Sequence, residues 1–259
     1  MSMALVGTVV PTVEPSFDFD LAGRVRNLGL PASAVNSLIP LFEAVSNGLH
    51  AIEARWQAEA TKSGEITIKV IRRSDDDGSG IVGFEIIDNG IGLTEENWKS
   101  FRTSDSDFKI QRGGKGVGRL AWLKAFSNCE ITSRFVDKDG QHWRRSFSFA
   151  LPKGVRNPIQ GHTITRVKAT KPIGTTVRLE PFQTNFESHC PKKVKTIAAK
   201  LVGHFLSYFV IGKLPKIKLI DDETIELGKF YSDHQQRNDI KTLTIKFSLL
   251  DDEPTEFSI

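Results

Sequence analysis

The sequence has little cysteine and no long apolar run, and both shortages narrow the kind of protein it encodes. Its 259 residues include two cysteines, Cys129 and Cys190, which form no CxxC pair. We therefore expect reduced thiols and neither a disulfide framework nor a cysteine-based metal site. No run of about 18 apolar residues occurs, so no membrane-spanning helix is predicted. The first residues lack the charged and apolar segments of a secretory signal, which favours a cytoplasmic protein.

The balance of charge and hydrophobicity is ordinary and excludes little. Hydrophobic residues make up 39% of the chain and charged residues 25%, which is typical of a globular protein with a substantial core. The formal charge of +4 permits an anionic partner such as a nucleotide or nucleic acid, but a solvated surface explains it equally well. The histidines without metal-ligand spacing are His142, His162, His189, His204 and His234.

Hydrophobic periodicity predicts an α+β fold. The expected elements are a helix from Pro31 to about Ala60, strands over Glu65–Arg73 and Ile81–Ile87, a helix over Thr94–Arg102, a polar loop over Thr103–Gly118, a helix over Leu120–Ala125, and strands over Glu130–Val136, Trp143–Leu151, His162–Lys168 and Thr175–Leu179. Neighbouring strands would be mostly antiparallel, with the helices on one face of a mixed sheet. That arrangement is a two-layer α/β sandwich.

The composition predicts three regions along the chain. We expect an N-terminal arm over residues 1–16, a main domain over 17–182, and the beginning of a second α/β domain over 183–259. The second domain would contain a helix over Lys192–Val210 and strands over Lys216–Ile220 and Thr242–Leu249. The last residues do not resemble a domain end, so we expect a fragment of a longer protein.

Glu43 and Asn47 lie four residues apart in the first predicted helix and so share one of its faces. A carboxylate in this position can orient and deprotonate a water molecule. An amide oxygen one turn away can ligate Mg²⁺. A solvated polar face is the alternative interpretation, because such pairs are common on helices.

Asp88 ends a hydrophobic strand, and Gly90 and Gly92 follow it. The carboxylate could accept a hydrogen bond from an exocyclic amine, and the glycines would let the backbone approach a flat ring. A tight turn after the strand is the alternative, since Asp-Asn-Gly also suits a turn.

A glycine-rich run precedes the next helix and reads Gly113-Gly114-Lys115-Gly116-Val117-Gly118-Arg119. Successive N–H groups of such a run can bind an anion, and its two basic side chains add charge. The run is not a Walker A loop, because a glycine follows Lys115 and none stands five residues before Gly114. No strand leads directly into it, so it also lacks the context of a dinucleotide-binding motif.

In this order, the Glu43/Asn47 pair, the Asp88–Gly92 motif and the Gly113–Gly118 run resemble the GHKL ATPase superfamily, which shares the Bergerat fold. Its members include gyrase and other type II topoisomerases, MutL, ninety-kilodalton heat-shock chaperones, histidine kinases and MORC proteins. Gly174-Thr175-Thr176-Val177 resembles a fourth element of the family. The stretch around the glycine-rich run is most similar to uncharacterised bacterial ATP-binding proteins.

The resemblance implies ATP and Mg²⁺ as ligands and gives roles to the matched residues on the phosphate side. Glu43 would be the general base for water, and Asn47 would ligate Mg²⁺. The loop from about Thr103 to Gly118 would be a lid whose closure excludes water. The lid residues expected to hold the phosphates are Gly113, Gly114, Lys115, Gly116, Val117, Gly118 and Arg119.

On the adenine side, the resemblance makes Asp88 the acceptor for the amino group. Gly90 and Gly92 would shape the pocket, and Thr175 would support Asp88 and a bridging water. One departure concerns His50, which stands where many hydrolysing members have Asp. It either hydrogen-bonds in the pocket by a different arrangement or is a helix histidine with its own partners.

Three functions remain open at this point. Glu43 favours an ATP-hydrolysing, ATP-gated homodimer that acts on an attached effector, since histidine kinases usually have Asn at that position. Histidine kinase-type phosphotransfer needs a phosphoacceptor histidine before the first motif, and none precedes His50. A module that holds ATP without turnover is the third alternative, because topoisomerases and MutL take a catalytic lysine from the following domain. The candidates Lys213, Lys216 and Lys218 have no diagnostic context.

The wider role is a hypothesis. The resemblance favours a DNA-linked role in genome maintenance or phage defence, for which the mild positive charge is the only local support. A chaperone-like role is the alternative, and salt-dependent stimulation of the ATPase by DNA would separate the two. Family members often clasp the partner protomer with an N-terminal arm, so residues 1–16 are expected either to support dimerisation or to form a disordered leader.

Overall fold

The computed structural model describes residues 20–74, 80–103, 118–237, 244–247 and 255–258. The helices are α1 (Leu21–Arg26), α2 (Ile39–Trp56), α3 (Ala60–Ser63), α4 (Glu95–Arg102), α5 (Gly118–Ala125), α6 (Thr184–Glu187), α7 (Val194–His204), α8 (Leu206–Val210) and α9 (Leu227–Arg237). The strands are β1 (Glu65–Arg72), β2 (Ile81–Asp88), β3 (Cys129–Val136), β4 (His142–Phe149), β5 (Ile159–Arg166), β6 (Gly174–Leu179), β7 (Lys216–Ile220), β8 (Thr224–Glu226), β9 (Thr244–Phe247) and β10 (Thr255–Ser258). The predicted N-terminal arm lies outside the described residues.

Eight strands form one sheet in the order β5-β4-β3-β6-β2-β1-β7-β8. Every neighbouring pair in it is antiparallel except β1 and β7, which are parallel. The predicted strands of the main domain are all present, with ends shifted by a few residues. The predicted mixed, mostly antiparallel sheet of an α+β fold is confirmed.

Inward and outward side chains alternate along each strand, which gives the sheet one buried face and one polar face. In β3, Ile131, Ser133 and Phe135 are buried, whereas Glu130 and Thr132 point to the opposite face. Helix α2 packs on β1, β2 and β6 and against α5. Helices therefore cover the buried face, as predicted for a two-layer sandwich.

Helix α2 carries the predicted apolar stripe but is shorter than predicted. Its fully or almost fully buried apolar side chains are Leu41, Phe42, Val45, Leu49 and Ile52. Ser33 Oγ accepts a hydrogen bond from Asn36 N–H at 3.2 Å in the turn before the helix, and α2 itself begins without a side-chain cap. The backbone of Gln57 has a φ of 47° and ends α2, because a positive φ cannot continue a right-handed helix.

The described residues after position 182 extend the same sheet and core. Strand β7 pairs in parallel with β1, placing Ile217 beside Ile66. Leu201 of α7 is fully buried in the shared core, and His204 stacks on Phe42 of α2 with ring centroids 4.3 Å apart. The sheet and the core therefore continue across the boundary predicted at residue 182, and the division of the chain into domains stays a prediction.

Two smaller differences concern the same region. The helix predicted over Lys192–Val210 is divided into α7 and α8 at Phe205, whose φ of −102° and ψ of 21° leave the helical range. Strands β9 and β10 pair with each other in a separate two-stranded sheet. Within the described ranges, no helix combines the length and apolar character needed to cross a membrane.

Candidate functional site

A cavity of about 890 Å³ opens between α2, α4, the start of α5 and the ends of β2 and β6, a size that suits a small-molecule ligand. The predicted site residues that line it are Asn47, Asp88, Gly92, Arg119 and Thr175. They come from distant parts of the sequence, so the fold brings the predicted motifs to one place. The predicted residues Gly113, Gly114, Lys115, Gly116 and Val117 lie outside the described residues.

One wall of the cavity is a face of α2. Asn47 and His50 line it, and Glu43 lies one turn before Asn47 on the same face. Glu43 does not line the cavity itself; its carboxylate lies at the start of α5, where a Cβ at Gly118 would overlap it. The three side chains are half-buried. Glu43 is therefore held close to the end of the predicted lid.

Asp88 ends β2 at the base of the cavity with 9% of its surface exposed. Its Oδ1 accepts a hydrogen bond from Gly90 N–H at 2.8 Å, and the carboxylate also accepts one from Thr175 N–H. Burial raises the pKa of Asp88 to about 7, although these bonds and the charge of Arg55 favour the ionised form. A carboxylate has about four lone-pair positions, so acceptor capacity remains for a ligand.

Gly90 and Gly92 are required by contacts within the protein. A Cβ at Gly90 would come within 2.5 Å of Ala51 in α2, whose carbonyl accepts a hydrogen bond from Ile91 N–H at 2.9 Å. Gly92 has a φ of +79°, and a Cβ there would overlap the carbonyl of Arg134 in β3. Gly92 lines the cavity, whereas Gly90 fastens the motif to α2.

The turn that follows β2 is held in place by residues that the motif did not predict. Arg55 donates from Nη1 to the carbonyl of Asn89 at 2.7 Å and to that of Ile173 at 3.1 Å. The Asn89 side chain accepts from Glu65 N–H and donates to the carbonyl of Ser63, both at 2.8 Å. Asn89 is therefore a structural residue of the motif. Its partners lie far away in sequence, so no local pattern could have revealed them.

Thr175 on β6 pairs with Asp88 of β2 on one side and with Ser133 of β3 on the other. Its Oγ1 is 3.0 Å from the Oγ of Ser133, which is fully buried. Ser133 Oγ also accepts a hydrogen bond from Leu93 N–H at 2.7 Å. The sequence contained a signal for Ser133, because it is a polar residue at an inward position of an alternating strand.

Arg119 lines the cavity from the first turn of α5 and joins two helices. It donates from Nη1 to the carbonyl of Ser100 at 3.0 Å and from Nη2 to that of Thr103 at 3.1 Å. Its guanidinium also lies over the ring of Phe101 at 5.1 Å. Arg119 thus ties the start of α5 to the end of α4, which brackets the predicted lid.

Arg145 supports the rim of the cavity from β4 and was not predicted. It is 1% exposed and donates from Nη1 to the carbonyl of Leu93 at 3.0 Å. Its other partner is the carboxylate of Glu95 at the start of α4. The guanidinium lies between the rings of Trp98 and Phe135, at 4.7 and 5.1 Å from their centroids. It therefore fixes the segment that joins Gly92 to α4.

The described residues contain no group of three or more His, Cys, Asp or Glu side chains that could hold a metal ion by themselves. Nucleotide-bound Mg²⁺ typically needs only one or two protein oxygens, with phosphates and waters completing its shell. Asn47 supplies an amide oxygen in the cavity, and Glu43 lies one turn away. This donor set fits Mg²⁺ bound together with a nucleotide.

Neither a scan against protein-family models nor a search of the curated proteins gives a match for this chain. The geometry of the cavity and the motifs that line it are therefore the basis for a proposed function.

Proposed function

We propose that the chain binds ATP in this cavity and hydrolyses it in the presence of Mg²⁺. The convergence of Asn47, Asp88 and Thr175 on one cavity is the observation that carries the proposal. Their motifs resemble those of the GHKL ATPases in order and spacing, and this resemblance supplies the identity of the ligand. The α+β sandwich is compatible with it.

The adenine base would lie against the end of β2. Asp88 would accept a hydrogen bond from the exocyclic amine, because the carboxylate faces the cavity and keeps free lone pairs. Gly92 and Ile91 line the same region, where the backbone turns close to the cavity. The apolar side chains Ile86, Ile131 and Val177 add a surface suited to a flat ring.

The phosphates would lie toward the start of α5. Asn47 would hold Mg²⁺ through its amide oxygen. When bound, this ion would neutralise charge on the phosphate oxygens. Glu43 would accept a proton from the attacking water, since its carboxylate lies beside Gly118 at the end of the glycine-rich run. Lys115 and the N–H groups of that run would provide further anion contacts.

The test of hydrolysis is the change Glu43→Ala. We expect nucleotide affinity to remain and turnover to fall by at least about a hundredfold, because a general base contributes on that scale. Exposed Glu53 on the same helix gives the matched control Glu53→Ala, which should change neither quantity. Turnover would be measured by phosphate release and affinity by calorimetry. A Glu43→Ala variant with undiminished turnover would remove the assigned base.

The proposal extends to an ATP-dependent homodimer that acts on an attached effector in DNA maintenance or phage defence. The family resemblance and the identity of Glu43 support this extension. Sedimentation with and without a non-hydrolysable ATP analogue tests it: dimerisation that requires the nucleotide is expected, and an unchanged monomer at saturating nucleotide would reject it.

A further inference from the structure

The buried hydroxyl of Ser133 lies between the rim of the cavity and Thr175. Ser133 is fully buried on β3, where its neighbours at inward positions are Ile131 and Phe135. A Cβ at Gly92 would come within 3.0 Å of Ser133 Oγ, which shows how closely the rim packs on this side chain. Burying a hydroxyl is costly unless its hydrogen bonds are made, so the direction of each bond matters.

Ser133 has one proton to donate, which limits the directions that its hydrogen bonds can take. Leu93 N–H donates to Ser133 Oγ at 2.7 Å, which occupies one acceptor position. The single Ser133 proton has two acceptors within reach: Thr175 Oγ1 at 3.0 Å and the carbonyl of Gly174 at 3.3 Å. The shorter distance favours Thr175. A hydroxyl that accepts from Ser133 has its own proton available for another acceptor.

We propose that Ser133 donates to Thr175 and thereby directs the Thr175 proton into the cavity, which makes Ser133 a positioning residue for adenine selectivity. The inference rests on the proposed binding of ATP and adds a residue that the motifs did not contain. Thr175 lines the cavity beside Asp88, to which it is paired in the sheet register. The cavity therefore presents a donor next to an acceptor.

This donor and acceptor pair matches one edge of adenine. The exocyclic amine donates and the adjacent ring nitrogen N1 accepts, directly or through one water, so both groups are satisfied. Guanine presents a carbonyl oxygen and an N1–H at the same places, which reverses both requirements. A site that leaves buried polar groups unpaired with the wrong ligand discriminates strongly against it.

The experiment measures affinity for ATP and for 1-deaza-ATP, in which ring N1 is replaced by C–H. The wild-type chain should prefer ATP by about tenfold, the scale of one buried hydrogen bond. In Ser133→Ala the ratio of the affinity for ATP to the affinity for 1-deaza-ATP should fall toward one, because the Thr175 hydroxyl is no longer held as a donor. Thr175→Val should give the same low ratio, and Thr175→Ser should keep the wild-type ratio.

Thr132→Ala is the matched control, because Thr132 precedes Ser133 on β3 and its hydroxyl bonds to Ser146 on the other face of the sheet. It should keep the wild-type ratio. Ser133→Ala also leaves Leu93 N–H without its acceptor, which would weaken both nucleotides alike, so the ratio separates selectivity from damage to the rim. If Ser133→Ala does not unfold cooperatively, Ser133→Cys takes its place, because cysteine is close to serine in size and its thiol is a weaker donor. The same fall in the affinity ratio is expected for it.

A wild-type ratio retained in folded Ser133 variants would overturn the inference while leaving ATP binding intact. A wild-type chain that binds ATP and 1-deaza-ATP equally would do the same. Failure of the wild-type chain to bind ATP would reject both the inference and the proposed function.

Discussion

At the residue scale, burial strongly affects the charge of Asp88. Burial raises its pKa to about 7, whereas the same group in an unfolded chain titrates near its ordinary pKa of 3.8. Between these values the folded state binds a proton that the unfolded state has released. The contribution of Asp88 to stability is therefore fully present below pH 3.8 and is lost as pH rises toward about 7.

We expect Asp88→Asn to remove this pH dependence. The free energy of unfolding of the variant, relative to wild type, should rise by a few kcal/mol as pH increases from about 4 to about 7 and then level off. Urea unfolding at several pH values measures the difference. A difference that stays constant over this range would show that Asp88 titrates normally in the folded state.

The motifs predicted some site residues and not others. Asp88 and Thr175 were predictable because each lies at the end of a recognisable strand pattern. Ser133 was detectable because it is a polar residue at a position of β3 where apolar residues are expected. Arg55 and Arg145 were not detectable, because their acceptors are backbone carbonyls of Asn89 and Leu93. Such contacts depend on how helices and strands pack and leave no mark on neighbouring sequence.

At the scale of elements, the contact between α2 and α5 places Glu43, the proposed general base. Gly118 begins α5, and its missing side chain leaves room for the Glu43 carboxylate. The same contact joins the helix that carries Asn47 to the end of the predicted lid. A change at Gly118 should therefore affect Glu43 more than the rest of the fold.

Gly118→Ala should lower turnover by at least about tenfold, because the new methyl group would displace Glu43, the proposed base, and a general base contributes on the order of a hundredfold or more. ATP affinity should change less than turnover does. Gly228→Ala in α9 is the matched control, since a Cβ there meets nothing within 4 Å. Steady-state kinetics of both variants measure the effect. Equal turnover in Gly118→Ala and wild type would contradict the placement of Glu43.

The spacing of apolar residues predicted most helices and strands, because apolar and polar residues alternate along the strands and α2 has a clear apolar stripe. The parallel pairing of β1 with β7 was not predicted, because about 150 residues separate them and antiparallel hairpins dominate the local signals. The same limit applies to the break at Phe205, because the apolar pattern of α7 continues across it into α8, although Gly203 stands two residues before the break.

At the scale of the whole molecule, the sheet and core extend across the boundary predicted at residue 182. β7 covers the β1 edge, and Ile197, Leu201 and Leu219 are completely buried. Since α2 packs on β1 and lines the cavity, the region after residue 182 supports the site although it supplies none of its described lining.

A chain ending at residue 182 should therefore lose cooperative thermal unfolding, because it exposes the β1 edge and the apolar surface beneath α7. A chain ending at residue 237 keeps these elements and should unfold cooperatively near the temperature of the full chain. Calorimetry of the two shortened chains distinguishes the cases. Cooperative unfolding of the shorter chain at an unchanged temperature would support the predicted boundary.

The most direct test of the account is calorimetric titration of ATP with Mg²⁺ into the wild-type chain and Asp88→Asn. The wild-type chain should bind, and Asp88→Asn should bind at least about tenfold more weakly. In this variant the N–H groups of Gly90 and Thr175 would hold the oxygen of the new amide side chain. The NH₂ group of that side chain would then face the adenine amine, and two donors would oppose each other. Asp139→Asn, in an exposed turn, is the control and should bind like wild type. Equal ATP affinity in Asp88→Asn and wild type would contradict the site.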